Sequence, residues 1–150
     1  MITIALDAEP KNHKTMFITK NTIRMHDVDI VGILYFPRQF RFVHEALEDF
    51  LTSEGIPFDK LLQEKNFLFV IVHCESDYLA PLTLGNKIEV HVHVDNIGTS
   101  SFTMAYTIYL ESGKKVGTAK TVHVSLDHKT KSKILIPEHL HKILKKHLIN

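Results

Sequence analysis

Apolar residues alternate with polar ones along some stretches of this chain and recur every three or four positions along others. From Met16 to Met25 the apolar positions are Met16, Ile18, Ile23 and Met25, and the alternation shifts near Asn21. That pattern predicts a strand with a bulge at the shift. From Pro37 the period changes. Phe40, Val43, Leu47, Phe50 and Leu51 fall three and four apart, which is one stripe of a helix. Phe42 and Ala46 widen the stripe, so this helix is expected to be buried on more than one side. Pro37 suits a first turn, where its missing N–H costs no bond. Gly55 and then Pro57 close the element. Phe58 to Gln63 predicts a second, shorter helix.

Beyond Lys65 the period is two. Phe67 to Tyr78 predicts one long strand, opening on the apolar run Phe67 to Val72. Ile88, Val90, Val92 and Val94 alternate strictly with Glu89, His91 and His93. This is the pattern of a half-buried antiparallel strand, with its polar set facing solvent or a subunit contact. Ser101 to Leu110 and Lys115 to Asp127 are two more strands, joined through the hairpin signal Ser112-Gly113-Lys114. Leu140, Ile143, Leu144 and Leu148 lie on one face of a terminal helix, about 138–148, whose other face is basic. The order is strand, long helix, short helix, four strands, helix. A long apolar helix needs a wide surface to bury it, and a five-stranded sheet curved around it provides one. The sheet's edges and outer face then want a partner, which favours oligomers.

Composition narrows the function classes. The chain has 150 residues, 44% hydrophobic and 23% charged, the balance of one globular domain spanning 1–150. Its formal net charge is +1, so no overall field steers it to nucleic acid or an anionic membrane. The single cysteine, Cys74, excludes a disulfide framework or a cysteine-rich zinc site; it fits a reducing compartment and is expected to be buried as an apolar-like residue. The first ten residues lack a basic start and a long apolar stretch, and no run approaches the roughly 18 apolar residues of a spanning helix. The expected location is therefore the cytoplasm. His91 and His93 could ligate a metal, but no third ligand stands out, so neither metal nor cofactor is expected. Residues 1–14 read as a loosely held lead-in, and no Gly-x-Ser-x-Gly nucleophile elbow is present.

Chemistry concentrates just ahead of the long helix, in His26-Asp27-Val28-Asp29-Ile30-Val31-Gly32. A helix N-terminus presents free N–H groups and partial positive charge. It can hold a carbonyl oxygen as negative charge develops there. A carboxylate beside it can attack that carbonyl or activate a water. Gly32 allows a tight turn or a close substrate approach. The competing reading of these aspartates is structural, because Asp in loops often shapes turns or caps helices.

The segment Asp27-Val28-Asp29-Ile30-Val31-Gly32-Ile33-Leu34-Tyr35-Phe36-Pro37 resembles the active-site loop of the 4-hydroxybenzoyl-CoA thioesterase group of hotdog proteins. The likeness continues through Phe40, His44-Glu45-Ala46, Tyr78-Leu79-Ala80-Pro81 and Gly85 to Val90, over about residues 16–137. Phe40 to Leu51 and Val72-His73 look nearest to dihydroxynaphthoyl-CoA thioesterases.

The resemblance implies an α+β hotdog fold, a five-stranded antiparallel sheet wrapped around one long helix, working as a cytoplasmic homodimer or homotetramer with sites at subunit interfaces. It implies hydrolysis of an acyl-CoA thioester, with Asp29 as nucleophile or general base and the Phe36 backbone amide as oxyanion donor. Asp27 would shape the loop. Gly32, Tyr35, Phe40, Val70, His73, Thr99 and Ser100 would meet the substrate, while His44 and Glu45 pack or hydrogen-bond on the helix. One departure matters. Some relatives carry cations on the turn before the fourth strand to meet the CoA phosphates, but here that turn is Asn96-Ile97-Gly98-Thr99-Ser100-Ser101. Hydroxyls and amides could serve instead, or Lys129, Lys131 and Lys133. The rival substrate is an acyl-carrier-protein thioester, and a non-catalytic module binding an acyl group or a partner is the rival class.

Overall fold

The structure is a computed structural model that describes residues 16–64 and 67–149. The elements are β1 (Phe17–Thr22), a short 3-10 turn (Met25–Asp27), α1 (Arg38–Ser53), α2 (Phe58–Glu64), β2 (Phe67–Tyr78), β3 (Lys87–Ile97), β4 (Ser101–Leu110), β5 (Lys115–Asp127) and α3 (Glu138–Lys146). The strands form one antiparallel sheet in the order β1-β3-β4-β5-β2. The long α1 therefore interrupts the chain between β1 and β2, which end up as the two edges.

Helix α1 forms where the three-four stripe begins, with Pro37 as its cap. It buries Gln39, Phe42, Val43, Ala46, Leu47, Phe50 and Leu51. These meet the inward positions of the sheet, including Ile88, Val90, Val92, Phe102, Met104 and Ile108. Burying each large apolar side chain contributes about 1.5–3 kcal/mol, which is what holds the helix on the sheet. Phe40, expected on the stripe, is only half-buried. Gly55 ends the helix at φ +87°, a conformation suited to glycine, and the Ile56 N–H returns to the Leu51 carbonyl at 2.8 Å. Helix α3 buries Leu140, Ile143 and Leu144. Glu54, just past α1, accepts hydrogen bonds from Lys146 Nζ and His147 Nε2, both at 2.7 Å.

Three expectations need correction. The pairing of β1 with β3 is unbroken from Phe17 opposite Val92 to Thr22 opposite Lys87, so Asn21 carries no bulge. The alternation shifts there because the strand ends at Thr22 and the chain enters the 3-10 turn. The register breaks lie elsewhere, between Ile71 and His73, Val94 and Asn96, and Ile108 and Tyr109. The polar set of β3 is not turned to solvent, since Glu89 and His91 are buried. β3 is an internal strand, and the His91 ring packs 4.6 Å from that of Tyr109, with Met16 Sδ at 3.1 Å from its Nδ1. Cys74 is exposed, because β2 is a sheet edge with few neighbours to cover it. The lead-in of residues 1–14 lies outside the described residues.

Candidate active site

Two segments make a cleft at the N-terminal end of α1. One is the loop 28–36 and the other is the crossing from β2 to β3. The Leu34 N–H donates to Leu82 O at 2.7 Å, and Ile33 and Thr83 form an isolated antiparallel bridge. The crossing is fastened in turn to β5, where the Val116 carbonyl accepts from the Leu79 and Ala80 N–H groups at 2.9 and 3.3 Å. The cleft encloses about 400 Å³, and Asp29, Phe36, Gln39, Tyr78, Pro81 and Leu82 are among its walls. This lies within the range of small-molecule sites.

Asp29 sits in a tight turn. Its Oδ1 accepts from the Val31 N–H at 2.8 Å and the Ile33 N–H at 3.4 Å, and the Gly32 N–H returns to its carbonyl at 2.9 Å. Gly32 holds φ +89°, which a residue with a Cβ adopts only at a cost. The turn fixes one carboxylate oxygen. Oδ2 has no hydrogen-bond partner among the described residues and remains free for chemistry. Asp29 is half-buried.

Phe36 follows immediately before the Pro37 cap. Its carbonyl accepts from the Tyr78 hydroxyl at 2.5 Å. Its N–H donates to nothing among the described residues, as expected of the first amides of a helix. Burial pushes the Tyr78 phenol up, only partly offset by Ser76, so Tyr78 stays a proton donor at neutral pH. The buried Gln39 amide donates to Ser76 Oγ at 2.6 Å and the Asp77 carbonyl at 3.1 Å, and forms a wall of the cleft.

Asp27 is fully buried behind this loop. Its Oδ2 accepts from the Arg24 N–H at 2.8 Å. Arg38 Nε and Arg41 Nη1 stand 3.5 and 3.6 Å from Oδ1, with His26 Nε2 at 3.5 Å. The carboxylate thus ties the loop to the first turns of α1. Glu45, further along, accepts from Asn21 Nδ2 at 2.9 Å and pairs with Arg41 at 2.9 Å.

The remaining predicted residues lie apart from the cleft. Tyr35 is exposed and packs edge-on against Phe36, with ring centroids 5.4 Å apart. Phe40 packs at the margin of the core. Val70 belongs to a second cavity of about 380 Å³, between α1, α2 and β2, walled by His44, Phe58, Phe69, Ile71 and His123 as well. His73 is exposed on β2, its Nε2 3.2 Å from Glu75 Oε1. Thr99 and Ser100 lie at the far end of the sheet. There Ser100 O accepts from Ser125 N at 2.8 Å and Thr99 O from Ile136 N at 3.1 Å. Within one chain, Asp29, Gly32 and Phe36 are together, and Tyr35, Phe40, Val70, His73 and the Thr99-Ser100 pair lie at five separate places.

Sequence reading passed over Gln39 and His123 as site residues. Both carried a signal. Gln39 is a polar residue at a buried helical position, four before Val43 and seven before Ala46. The inward set of β5 runs Ala119, Thr121, His123, Ser125, polar where apolar residues are the rule. Among the described residues no group of His, Cys, Asp and Glu could hold a metal, and no helix is long and apolar enough to cross a membrane.

Residues 23–144 match the family model described as the thioesterase-like superfamily. The 1,4-dihydroxy-2-naphthoyl-CoA hydrolase of Thermosynechococcus vestitus is 31% identical over 121 residues, covering 81% of this chain and 83% of that protein. One from Prochlorococcus marinus subsp. pastoris is 28% identical over 147 residues, 95% of each. In structure, the chain is similar to a 1,4-dihydroxy-2-naphthoyl-CoA thioesterase from Synechocystis, with a TM-score of 0.81 over 87% of this chain and 96% of that one. Identity there is 24%, so this likeness concerns the fold.

Proposed function

The chain belongs to the thioesterase-like superfamily and has its hotdog fold, and from that premise we propose that it hydrolyses an acyl-CoA thioester to a carboxylic acid and CoA. The observation that carries the reading is the pairing of Asp29, one carboxylate oxygen free, with the unpaired Phe36 N–H in one cleft. The thioester carbonyl oxygen accepts from the Phe36 amide at the positive end of α1. As a general base, Asp29 takes a proton from water while the water oxygen bonds to the carbonyl carbon. The oxyanion then collapses, the C–S bond breaks, and the thiolate leaves with that proton. As a nucleophile, Asp29 bonds to the carbon itself and expels the thiolate, and water cleaves the resulting anhydride. Acid released from a first turnover without solvent oxygen, its new oxygen coming from Asp29, would require the anhydride.

The unpaired β2 edge supports a dimer with a shared site. Val70, Ile71 and Val72 are exposed along it. Val70 and Tyr78 are eight residues apart, roughly 26 Å at about 3.3 Å per residue, so an aryl acyl group whose carbonyl sits at the cleft cannot reach Val70 of the same chain. Antiparallel pairing of two β2 edges sets the Tyr78 end of one copy beside the Phe67 end of the other. The Val70 cavity of one copy then adjoins the Asp29 cleft of its partner. The same pairing carries Thr99 and Ser100 toward the partner's cleft. Ser125 and Ile136, which flank the loop bearing Lys129, Lys131 and Lys133, are bonded to that turn, which supports those lysines as phosphate contacts. The relatives' names favour CoA over a carrier protein as the thiol.

Asp29→Asn tests the reading on a panel of aryl-CoA, fatty acyl-CoA and acyl-carrier-protein thioesters. Loss of at least about 100-fold in kcat is expected, the scale of a positioned acid-base group. Unchanged cleavage by a folded variant would remove Asp29 as the catalytic carboxylate, and absence of cleavage by wild type across the panel would leave the binding-module reading standing.

A further inference from the structure

The second cavity has two polar side chains in its wall, His44 and His123, among Phe58, Leu61, Leu68, Phe69, Val70 and Ile71. His123 is fully buried on the inward face of β5. Its ring stacks on Phe102, with centroids 4.8 Å apart and planes 9° apart, and Phe69 meets it edge-on at 5.6 Å. Nε2 lies 2.8 Å from Thr121 Oγ1, which lies 3.0 Å from the Tyr106 hydroxyl. Nδ1 has no partner, which is rare for a buried polar atom.

The chain of three groups fixes the protons. Tyr106 is fully buried, and Thr121 is the one acceptor its hydroxyl meets among the described residues. Tyr106 therefore donates to Thr121 Oγ1. Among the described residues the Thr121 hydroxyl then meets one acceptor for its own proton, His123 Nε2. A histidine whose Nε2 accepts carries its proton on Nδ1. This tautomer is assigned from the network, by satisfying the most buried donor first. Burial, aided by repulsion from His44, holds the His123 pKa down at about 4, so the ring stays uncharged at neutral pH. The result is a buried N–H donor with no partner, on a ring that forms part of the wall of an aromatic cavity. Such a donor disfavours a plain hydrocarbon, which leaves it unpaired, and favours a ring that brings an oxygen.

We propose that the His123 Nδ1–H is a specificity-determining donor of the acyl pocket, selecting aromatic acyl groups that carry an oxygen on the ring away from the thioester. Thr121 is a positioning residue that sets the tautomer. The proposal rests on the thioesterase reading above and on the cavity serving the Asp29 of the partner copy.

The test compares matched substrates: 4-hydroxybenzoyl-CoA against benzoyl-CoA, and 6-hydroxy-2-naphthoyl-CoA against 2-naphthoyl-CoA. Wild-type protein is expected to prefer the hydroxylated member by about tenfold in kcat/KM, the scale of one buried hydrogen bond. His123→Phe keeps the flat ring on Phe102 and should bring that ratio close to one. Thr121→Val keeps its shape and should lower the ratio while moving the histidine proton to Nε2, read from the nitrogen shifts of ¹⁵N-labelled His123. A wild-type ratio near one, a ratio unmoved in His123→Phe, or a wild-type Nε2–H tautomer would overturn the proposal. If wild type cleaves none of the four, the thioesterase reading is judged separately, on the wider thioester panel. Equilibrium binding of the four free acids to wild type and His123→Phe then decides the role of His123 by the same ratio.

Discussion

Gly117→Ala sets two effects of opposite sign against each other. Gly117 lies on β5 opposite Tyr78 and Ile108. Its φ is not in the left-handed region, so alanine meets no backbone penalty there. Stiffening the unfolded chain would then stabilise the protein by about 0.4–1 kcal/mol. Packing says otherwise. A Cβ at Gly117 would stand 2.8 Å from Gln39 Nε2, 3.0 Å from Oε1 and 3.1 Å from Cδ. The amide cannot simply swing away, because it is buried and held by Ser76 Oγ and the Asp77 carbonyl. Moving it forfeits two hydrogen bonds, about 1 kcal/mol each, and strands buried polar atoms at about 1–3 kcal/mol. Clash outweighs entropy, and a net loss of about 2 kcal/mol is expected by urea unfolding.

A double-mutant cycle isolates the cause. Gln39→Ala alone should cost about 1–2 kcal/mol. In Gln39→Ala/Gly117→Ala the new methyl occupies the space the amide left, so the double variant should cost little more than Gln39→Ala. The coupling is then about 2 kcal/mol, far above the scatter of independent sites. Additive losses, or a Gly117→Ala variant as stable as wild type, would refute the reasoning. Since Gln39 walls the cleft, Gly117→Ala should also lower kcat/KM on whichever thioester proves best.

Two further outcomes follow from the buried charges. His123 binds its proton less readily folded, at about 4, than the ordinary 6.5. Between those values the unfolded state binds more protons, so stability should fall as pH drops through that window, by about 3 kcal/mol in total. Urea unfolding at a series of pH values should show this slope, and His123→Phe should flatten it; an equal slope in both would assign the effect to other groups. Asp27→Asn removes the charge facing Arg38 and Arg41 while keeping the shape. The two arginines are partly exposed and regain some hydration, so the expected loss is about 2–3 kcal/mol rather than the 3–5 of a wholly buried pair. Thermal unfolding measures it, and a loss below about 0.5 kcal/mol would mean the loop is held otherwise.

Much of this protein was legible in one dimension, because periodicity reports the local environment directly. The stripe from Val43 to Leu51 specified a buried helix, and strict alternation from Ile88 to Val94 specified a strand with one face on the core. The loop's geometry was legible for a related reason. Asp29, Gly32 and Phe36 lie within one short turn, so their spacing in sequence is nearly their spacing in space. Strand order was not legible. Nothing local distinguishes an internal strand from an edge, so the burial of His91 and the exposure of Cys74 went the other way from expectation. The His123 cavity depended on tertiary structure most of all. His123 Nδ1 is left without a partner while Thr121 on the same strand, backed by Tyr106 from the neighbouring one, meets the ring's other nitrogen. Sequence determined which elements form and where the carboxylate sits, through interactions spanning a few residues. Only the folded sheet decided which polar groups are sealed inside and which edge stays open, because both depend on pairings between residues far apart in the chain.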